Sequence, residues 1–378
     1  MTPVMTLGPL TVTPYGLIVF AGALIGVLMT ILRKKETGPV LPLVLLGALL
    51  FGHMWWVFFC PPGYDAETGT AMLMLRIWEG GYTLYGALFG GLLGAAAGAR
   101  LSGLNLLDTL DAMAPGACAA LILCRIGEYF SLQGYGGIVN EENLWVLPVS
   151  FLTYEEADWG YQEWRYAVWA WEAFAALVLL VLLFVCGKKA RRGKQAALFV
   201  TGLGLSQILL EQMRQDDFVR LNPFVRFTQI AALLSLIAVL VLFVYRTRPG
   251  WMRILACFME LVFASLSIVF AEFVFQKPQF TTLLYVFSSL AAAWMVVLLW
   301  MYRPKTRILS TLLMLGSTGA LLGVYIGVYM AERMEDNSLL LYGFMAVALA
   351  AIGLTLWLNR PGTAAEAVPA GNEGTAPA

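Results

Sequence analysis

The strongest constraint on this chain is a succession of apolar runs, each near the roughly 20 residues that a helix needs to cross a bilayer. They fall at 14–32, 40–59, 82–99, 112–131, 168–186, 196–213, 227–245, 254–274, 281–301, 309–330 and 339–358. Lipid offers the backbone no water partners, so runs of this length are read as helices. Composition agrees. Hydrophobic types make up 60% of the 378 residues and charged types only 13%, where a soluble domain carries about a quarter charged. The expected fold class is an all-α integral membrane protein of about eleven transmembrane helices. The formal net charge is zero, which gives no global field toward nucleic acid.

The basic residues set the orientation. Arg33, Lys34 and Lys35 follow the first run and Arg100 the third. Lys188, Lys189, Arg191, Arg192 and Lys194 follow the fifth, Arg246, Arg248 and Arg253 the seventh, Arg303, Lys305 and Arg307 the ninth, and Arg360 the eleventh. Sixteen of the 24 basic residues thus share one side, read as cytoplasmic. The N-terminus is then outside, together with the acidic loops 61–79 and 140–163. The first run lacks a basic n-region and a small-residue cleavage site, and is read as a retained helix. The five cysteines, Cys60, Cys118, Cys124, Cys186 and Cys257, are scattered without a C-x-x-C pair. Neither a metal centre nor a disulfide framework is expected, and no cofactor. Pro249 and Gly250 mark an internal boundary. Residues 1–248 hold seven spans rich in polar residues, 249–360 hold four plainer ones of unknown role, and 361–378 form a disordered tail of Ala, Gly, Pro and Glu.

Ionisable residues inside spans are costly and point to function. Arg125 and Glu128 lie three apart at the outer end of the fourth span, and Glu211 and Arg214 three apart at the outer end of the sixth. This spacing puts each pair on one helix face. Glu172 opens the fifth span, His53 lies in the outer half of the second, and Tyr85 begins the third within GGYTLYGALFGG. Separate helices thus deliver two guanidiniums and several carboxylates to one layer near the outer surface. The bland reading is a pair of salt bridges that hold helices together. The sharper one uses guanidinium's fork geometry and permanent charge to grip a phosphate. The glycine run lets helices or lipid approach closely, and plain helix packing explains it as well.

Six elements in order, over residues 14–246, resemble the prolipoprotein diacylglyceryl transferase family. They are Pro14-Tyr15-Gly16; Trp78, Gly80, Gly81, Gly86 and Gly90; Asp111, Ala114 and Pro115; Arg125, Ile126, Gly127 and Gly136; Glu172-Ala173; and Gly202, Gly204, Glu211, Arg214 and Asp217. The resemblance implies a seven-helix core that moves diacylglyceryl from phosphatidylglycerol to the lipobox cysteine of a preprolipoprotein signal peptide at the outer face of the plasma membrane. The products are a thioether and glycerol phosphate. Arg125 and Arg214 would then hold the leaving phosphate, with Tyr15, Glu128, Gly136, Glu172 and Glu211 lining the lipid site. Membrane lipids are the surroundings, and no nucleic acid partner is expected.

The chain departs from the family pattern at several acid–base positions. Tyr85 stands where the family has His, Glu128 for Asn, Gln133 for Glu, His53 for Arg and Gln207 for Arg, and Ala167, Trp169 and Trp171 replace P-x-Q-x-Y. His53, the only histidine, lies at the depth of Tyr85 and is a candidate base for the thiol, with Tyr85 holding the substrate; packing beside Met54, Trp55 and Trp56 is its bland alternative. Two other readings use the same residues: a phospholipid-dependent transferase with another acceptor, and a lipid-binding pseudoenzyme. A transporter fits less well, because the charges gather near one surface rather than at midplane. The last four spans carry Glu260 and Glu272 with Lys277 nearby, read as packing plus an interfacial pair. The loop 132–166, with Gln133, Glu141, Glu142, Glu155, Glu156, Asp158 and Glu163, is read either as a wet segment that caps the site from outside or as a solvated acidic loop with no direct role.

Overall fold

A computed structural model describes residues 5–7, 10–59, 76–77, 81–139, 149–156, 159–187, 192–215, 226–247 and 250–276, with scattered helical residues between 283 and 298 and between 345 and 356. The expected spans at 281–301, 309–330 and 339–358 therefore fall largely outside the described residues. So do Cys60, Trp78, Gly80, Asp217, Pro249, Lys277 and the tail 361–378. The chain divides into two compact units, Met1–Ser235 and Leu236–Ala378.

Among the described residues, eight long helices follow the apolar runs. They are α1 (Pro14–Arg33), α2 (Leu41–Phe58), α3 (Leu84–Leu101), α4 (Leu106–Ser131), α5 (Val168–Gly187), α6 (Lys194–Met213), α7 (Phe227–Thr247) and α8 (Trp251–Gln276). Among the described residues, six helical stretches are long and apolar enough to cross a membrane: Pro14–Arg33, Lys35–Phe58, Leu84–Leu101, Leu106–Ser131, Val168–Val185 and Trp251–Ala271. The protein is thus a mostly helical, multi-pass membrane protein. The α6 helix is as long as α1 but carries Gln195, Ser206, Gln207 and Glu211, which lowers its hydropathy.

The helices are patterned for lipid. On α1, Gly22, Gly26 and Thr30 are buried while Leu17, Phe20, Leu24, Leu28 and Leu32 are exposed. Large side chains face outward and small ones face the bundle, because in lipid close backbone packing rather than apolar burial drives association. A Cβ on Gly26 would stand 2.8 Å from the carbonyl oxygen of Gly116 on α4, and one on Gly116 would stand 2.3 Å from that of Gly26. Helices α2 and α3 are closer still. Gly86, Gly90, Gly94 and Gly98 recur every fourth residue, and a Cβ on Gly90 would lie 2.0 Å from the Gly47 carbonyl oxygen. The glycine run thus serves helix packing. The core joins Ala114, Cys118 and Leu121 of α4 to Ala176, Leu179 and Leu183 of α5 and Phe199 and Leu203 of α6.

Caps account for the helix starts. Thr13 Oγ1 accepts from the Gly16 amide at 3.1 Å and Thr83 Oγ1 from that of Gly86 at 3.2 Å. Asn105 Oδ1 accepts from Leu107 and Asp108 at 3.0 and 3.4 Å. The fourth helix therefore begins at Leu106, before the apolar run that announced it. The start of α6 is capped from another helix: the Asp111 carboxylate accepts from the amides of Gly193, Gln195 and Ala196 at 2.6, 2.9 and 2.9 Å.

Strands appear where the sequence suggested only loops. Residues β1 (Met5–Leu7) and β2 (Leu10–Val12) form an antiparallel pair. The segment after α4 forms a three-stranded antiparallel sheet of β3 (Tyr135–Ile138), β4 (Val149–Glu156) and β5 (Trp159–Ala167), in the order β3-β5-β4. Register runs from Val149↔Tyr166 to Glu156↔Trp159. Aromatic and β-branched residues recur through these strands, a composition that suits a pleated surface. The strands are too short and too polar to register as apolar runs.

In the second unit, α8 buries Cys257, Glu260, Leu261, Ala264, Ser267 and Ala271. The Ser267 and Ser288 hydroxyls meet at 2.6 Å, and Trp294 Nε1 donates to the Ala256 carbonyl at 2.9 Å. Glu260 is 0% exposed, and neither carboxylate oxygen has a hydrogen-bond partner among the described residues.

Candidate functional site

Up-and-down connectivity brings alternate helix termini to the same end of the first unit. One end is held by Asp111 at the start of α6, by Arg33 Nη2 donating to Gln195 Oε1 at 2.6 Å, and by an Arg192–Asp108 pair at 3.2 Å. The opposite end receives the start of α1 with Tyr15, the end of α2 with His53, the start of α3 with Tyr85, the end of α4 with Arg125 and Glu128, the start of α5 with Glu172, and the end of α6 with Glu211 and Arg214. Every expected site residue therefore stands at one end of the bundle.

Two arginines from different helices share two carboxylates there. Arg125 Nη1 bonds to Glu128 Oε1 one turn on and lies 3.3 Å from Glu172 Oε2. Arg214 Nη1 lies 3.1 Å from the same Glu172 oxygen and 3.4 Å from Glu128 Oε2. Gln207 ties the square together, accepting from Arg125 Nη2 at 3.1 Å and donating to Glu172 Oε1 at 3.0 Å. All five side chains are buried, with Arg125 6% and Arg214 7% exposed. The i,i+3 expectation holds for Arg125 and Glu128. Arg214 behaves differently: it is the C-cap of α6 with extended φ and ψ of −72° and 139°, so its side chain swings across to α4 and α5.

Arg226, just before α7, is a site member that residue patterning alone did not single out. Its Nη1 lies 3.4 Å from Glu211 Oε1 and its Nη2 donates to the Arg214 carbonyl. The signal was a third arginine at the depth of the other two. Arg125, Arg214 and Arg226 thus balance Glu128, Glu172 and Glu211, a neutral ionic layer in which each buried charge has a partner, as burial requires.

Several buried groups at this end remain without partners. Among the described residues, Arg125 Nε, Trp55 Nε1 and Thr228 Oγ1 form no hydrogen bond. Each can donate. They come from α4, α2 and α7, and Trp55 packs on Phe227 at a ring-centroid distance of 5.4 Å and on Phe89 at 5.9 Å. Buried donors without acceptors are rare in folded proteins. A set of them beside paired guanidiniums suits a ligand rich in acceptor oxygens.

The other expected residues take supporting positions. The Tyr15 hydroxyl contacts Cys124 Sγ at 3.7 Å, and Gly127 leaves room for the Tyr15 ring. Gly136 is wedged where a Cβ would meet the Met213 carbonyl oxygen and Val168 Cγ2, each at 3.0 Å. It seats β3 against α5 and α6. The sheet is stitched to the site by Trp169 N to Gly134 O at 2.9 Å, by Gln215 N to Tyr135 O at 2.9 Å, and by Arg165, which reaches Gln215 at 3.2 Å and stacks over Tyr135. His53, 1% exposed, has Nδ1 3.0 Å from the Gly81 carbonyl oxygen and packs between Trp56 and Tyr82. These contacts place it on the segment that leads into α3. Tyr82, outside the span, donates to the Ile77 carbonyl, and partial burial raises its hydroxyl above the ordinary phenol value.

The comparisons with known proteins bear on the same region. A family model described as prolipoprotein diacylglyceryl transferase matches residues 3–245. Proteins named phosphatidylglycerol–prolipoprotein diacylglyceryl transferase are similar to this chain in several organisms. That of Parasynechococcus marenigrum is 29% identical over 225 residues, 55% of this chain and 78% of that protein. That of Halalkalibacterium halodurans is 26% identical over 262 residues, 65% of this chain and 86% of that protein. That of Paenarthrobacter aurescens is 30% identical over 268 residues, 64% of this chain and 81% of that protein. The match spans all the helices that build the ionic layer, and the chain belongs to the prolipoprotein diacylglyceryl transferase family.

Proposed function

We propose that this protein transfers diacylglyceryl from phosphatidylglycerol to the lipobox cysteine thiol of an exported prolipoprotein, at the outer face of the plasma membrane. The N-terminus then lies outside, and the chain crosses about eleven times. The observation that carries the reading is the convergence of Arg125 and Arg214, from separate helices, on shared carboxylates beside buried donors that lack acceptors. A phosphodiester placed there gains two permanent positive charges in a water-poor site, where such charges act most strongly on a leaving group. Tyr85 and Arg125 Nε add donors for its remaining oxygens. Tyr15, Glu128, Gly136, Glu172 and Glu211 shape the lipid side of the site, and the sheet β3–β5 stands over it. His53 seats the α3 entrance through Gly81, which supports a positioning role.

The test is a transfer reaction with purified protein, phosphatidylglycerol and a lipobox cysteine peptide. The peptide gains the mass of one diacylglyceryl group, and the gain is absent with the Arg125→Ala/Arg214→Ala variant. A folded wild-type protein that leaves the peptide unmodified overturns the reading.

A further inference from the structure

Thiol transfer needs a proton acceptor, because the thiolate is the nucleophile. At this end of the bundle the carboxylates differ in how they are held. Glu172 commits both oxygens to three donors, Arg125, Arg214 and Gln207, at 3.0–3.3 Å. Glu211 is the partner of Arg226. Glu128 keeps Oε1 on Arg125, while Oε2 has one hydrogen-bond donor among the described residues, Arg214 at 3.4 Å. That oxygen lies over bare backbone: a Cβ on Gly134 would stand 2.4 Å from it. Gly134 has φ +67°, so both its conformation and its missing side chain make room for the carboxylate. The charged and titratable groups facing Glu128 are Tyr15 from α1, Cys124 and Arg125 from its own helix, Glu172 from α5 and Arg214 beyond α6.

We propose that Glu128 takes the proton of the acceptor thiol, and that its neutralisation passes Arg125 and Arg214 from carboxylate to leaving phosphate. The proposal rests on the transferase reading above. As sulfur bonds to the glyceryl carbon, the carbon–oxygen bond to phosphate breaks and its electron pair stays on the phosphate oxygen. The thiol proton moves to Glu128 Oε2 and leaves later with the phosphate monoester. One negative charge disappears from Glu128 as one appears on the phosphate, and both face the same two guanidiniums. The ionic layer keeps its total charge through the reaction, which is the condition a buried site can meet without drawing ions from water.

A lipobox peptide with selenocysteine in place of cysteine separates this role from a structural one, since a selenol ionises more readily than a thiol and needs no base at neutral pH. Wild type transfers to both peptides. Glu128→Gln loses about a hundredfold or more in kcat with the cysteine peptide and keeps most of its rate with the selenocysteine peptide. Equal losses on both peptides, or none, overturn the role of Glu128 while leaving the transferase reading intact. A wild type inactive on both overturns the transferase reading and this one with it. If Glu128→Gln does not fold, Glu128→Asp carries the test, slowing thiol transfer more than selenol transfer; equal slowing refutes the proposal.

Discussion

A guanidinium that bridges two carboxylates is a geometric device as much as a charge. Arg214 reaches Glu128 and Glu172 with one nitrogen, and its backbone carbonyl is held by Arg226. An ammonium could supply the charge but not the planar fork. Arg214→Lys should therefore fold yet lose about 2.7–4 kcal/mol of transition-state stabilisation, on the scale seen when one preorganised donor is removed. The kcat of the transfer reaction measures it. Gly134→Ala makes a different point. At φ +67° with a carboxylate oxygen 2.4 Å from the new Cβ, the left-handed backbone alone costs about 1–2 kcal/mol. The displaced Glu128 should lower activity further than the thermal shift implies, a split read by comparing Tm with kcat.

At the scale of elements, the bundle is assembled by close approach on one side and by a borrowed cap on the other. The α2–α3 crossing places Gly90 2.0 Å, in Cβ terms, from the Gly47 carbonyl. Gly90→Leu must push the helices apart and move Tyr85 with α3, so the yield of folded protein in detergent should fall sharply. A normal yield with normal transfer would contradict the crossing described. Asp111 satisfies three amides at the start of α6. Its replacement by Ala should cost about 1–2 kcal/mol, as loss of an N-cap does, lowering Tm without abolishing transfer, because the ionic layer lies at the other end of the same helices.

For the whole molecule, the decisive fact is that every described ion pair of the ionic layer lies within Met1–Ser235. The family match also ends at residue 245. A chain of residues 1–248 should therefore retain transfer activity within about tenfold of the full chain, since lost packing rather than lost chemistry is at stake. Purified side by side, the two lengths give the answer directly; an inactive but folded short chain would assign the later helices a part in the reaction.

Apolar length by itself determined that the chain is a multi-pass helical membrane protein, because lipid leaves the backbone no alternative. The i,i+3 spacing of Arg125 and Glu128 likewise foretold a shared face. Other features depended on contacts distant in sequence. The Arg214 side chain leaves the helix that names its neighbours, and finds Glu128 and Glu172 only because α4, α5 and α6 converge. Arg226 meets Glu211 from just before α7, a pairing that no helical periodicity encodes. The sheet β3-β5-β4 pairs strands too short and polar to be seen as spans, and Gly134 is needed because a carboxylate six residues earlier folds back over it. Local sequence dictates which residues can afford lipid; which charges meet is decided by the tertiary fold, since a buried ion is stable only where its partner is delivered.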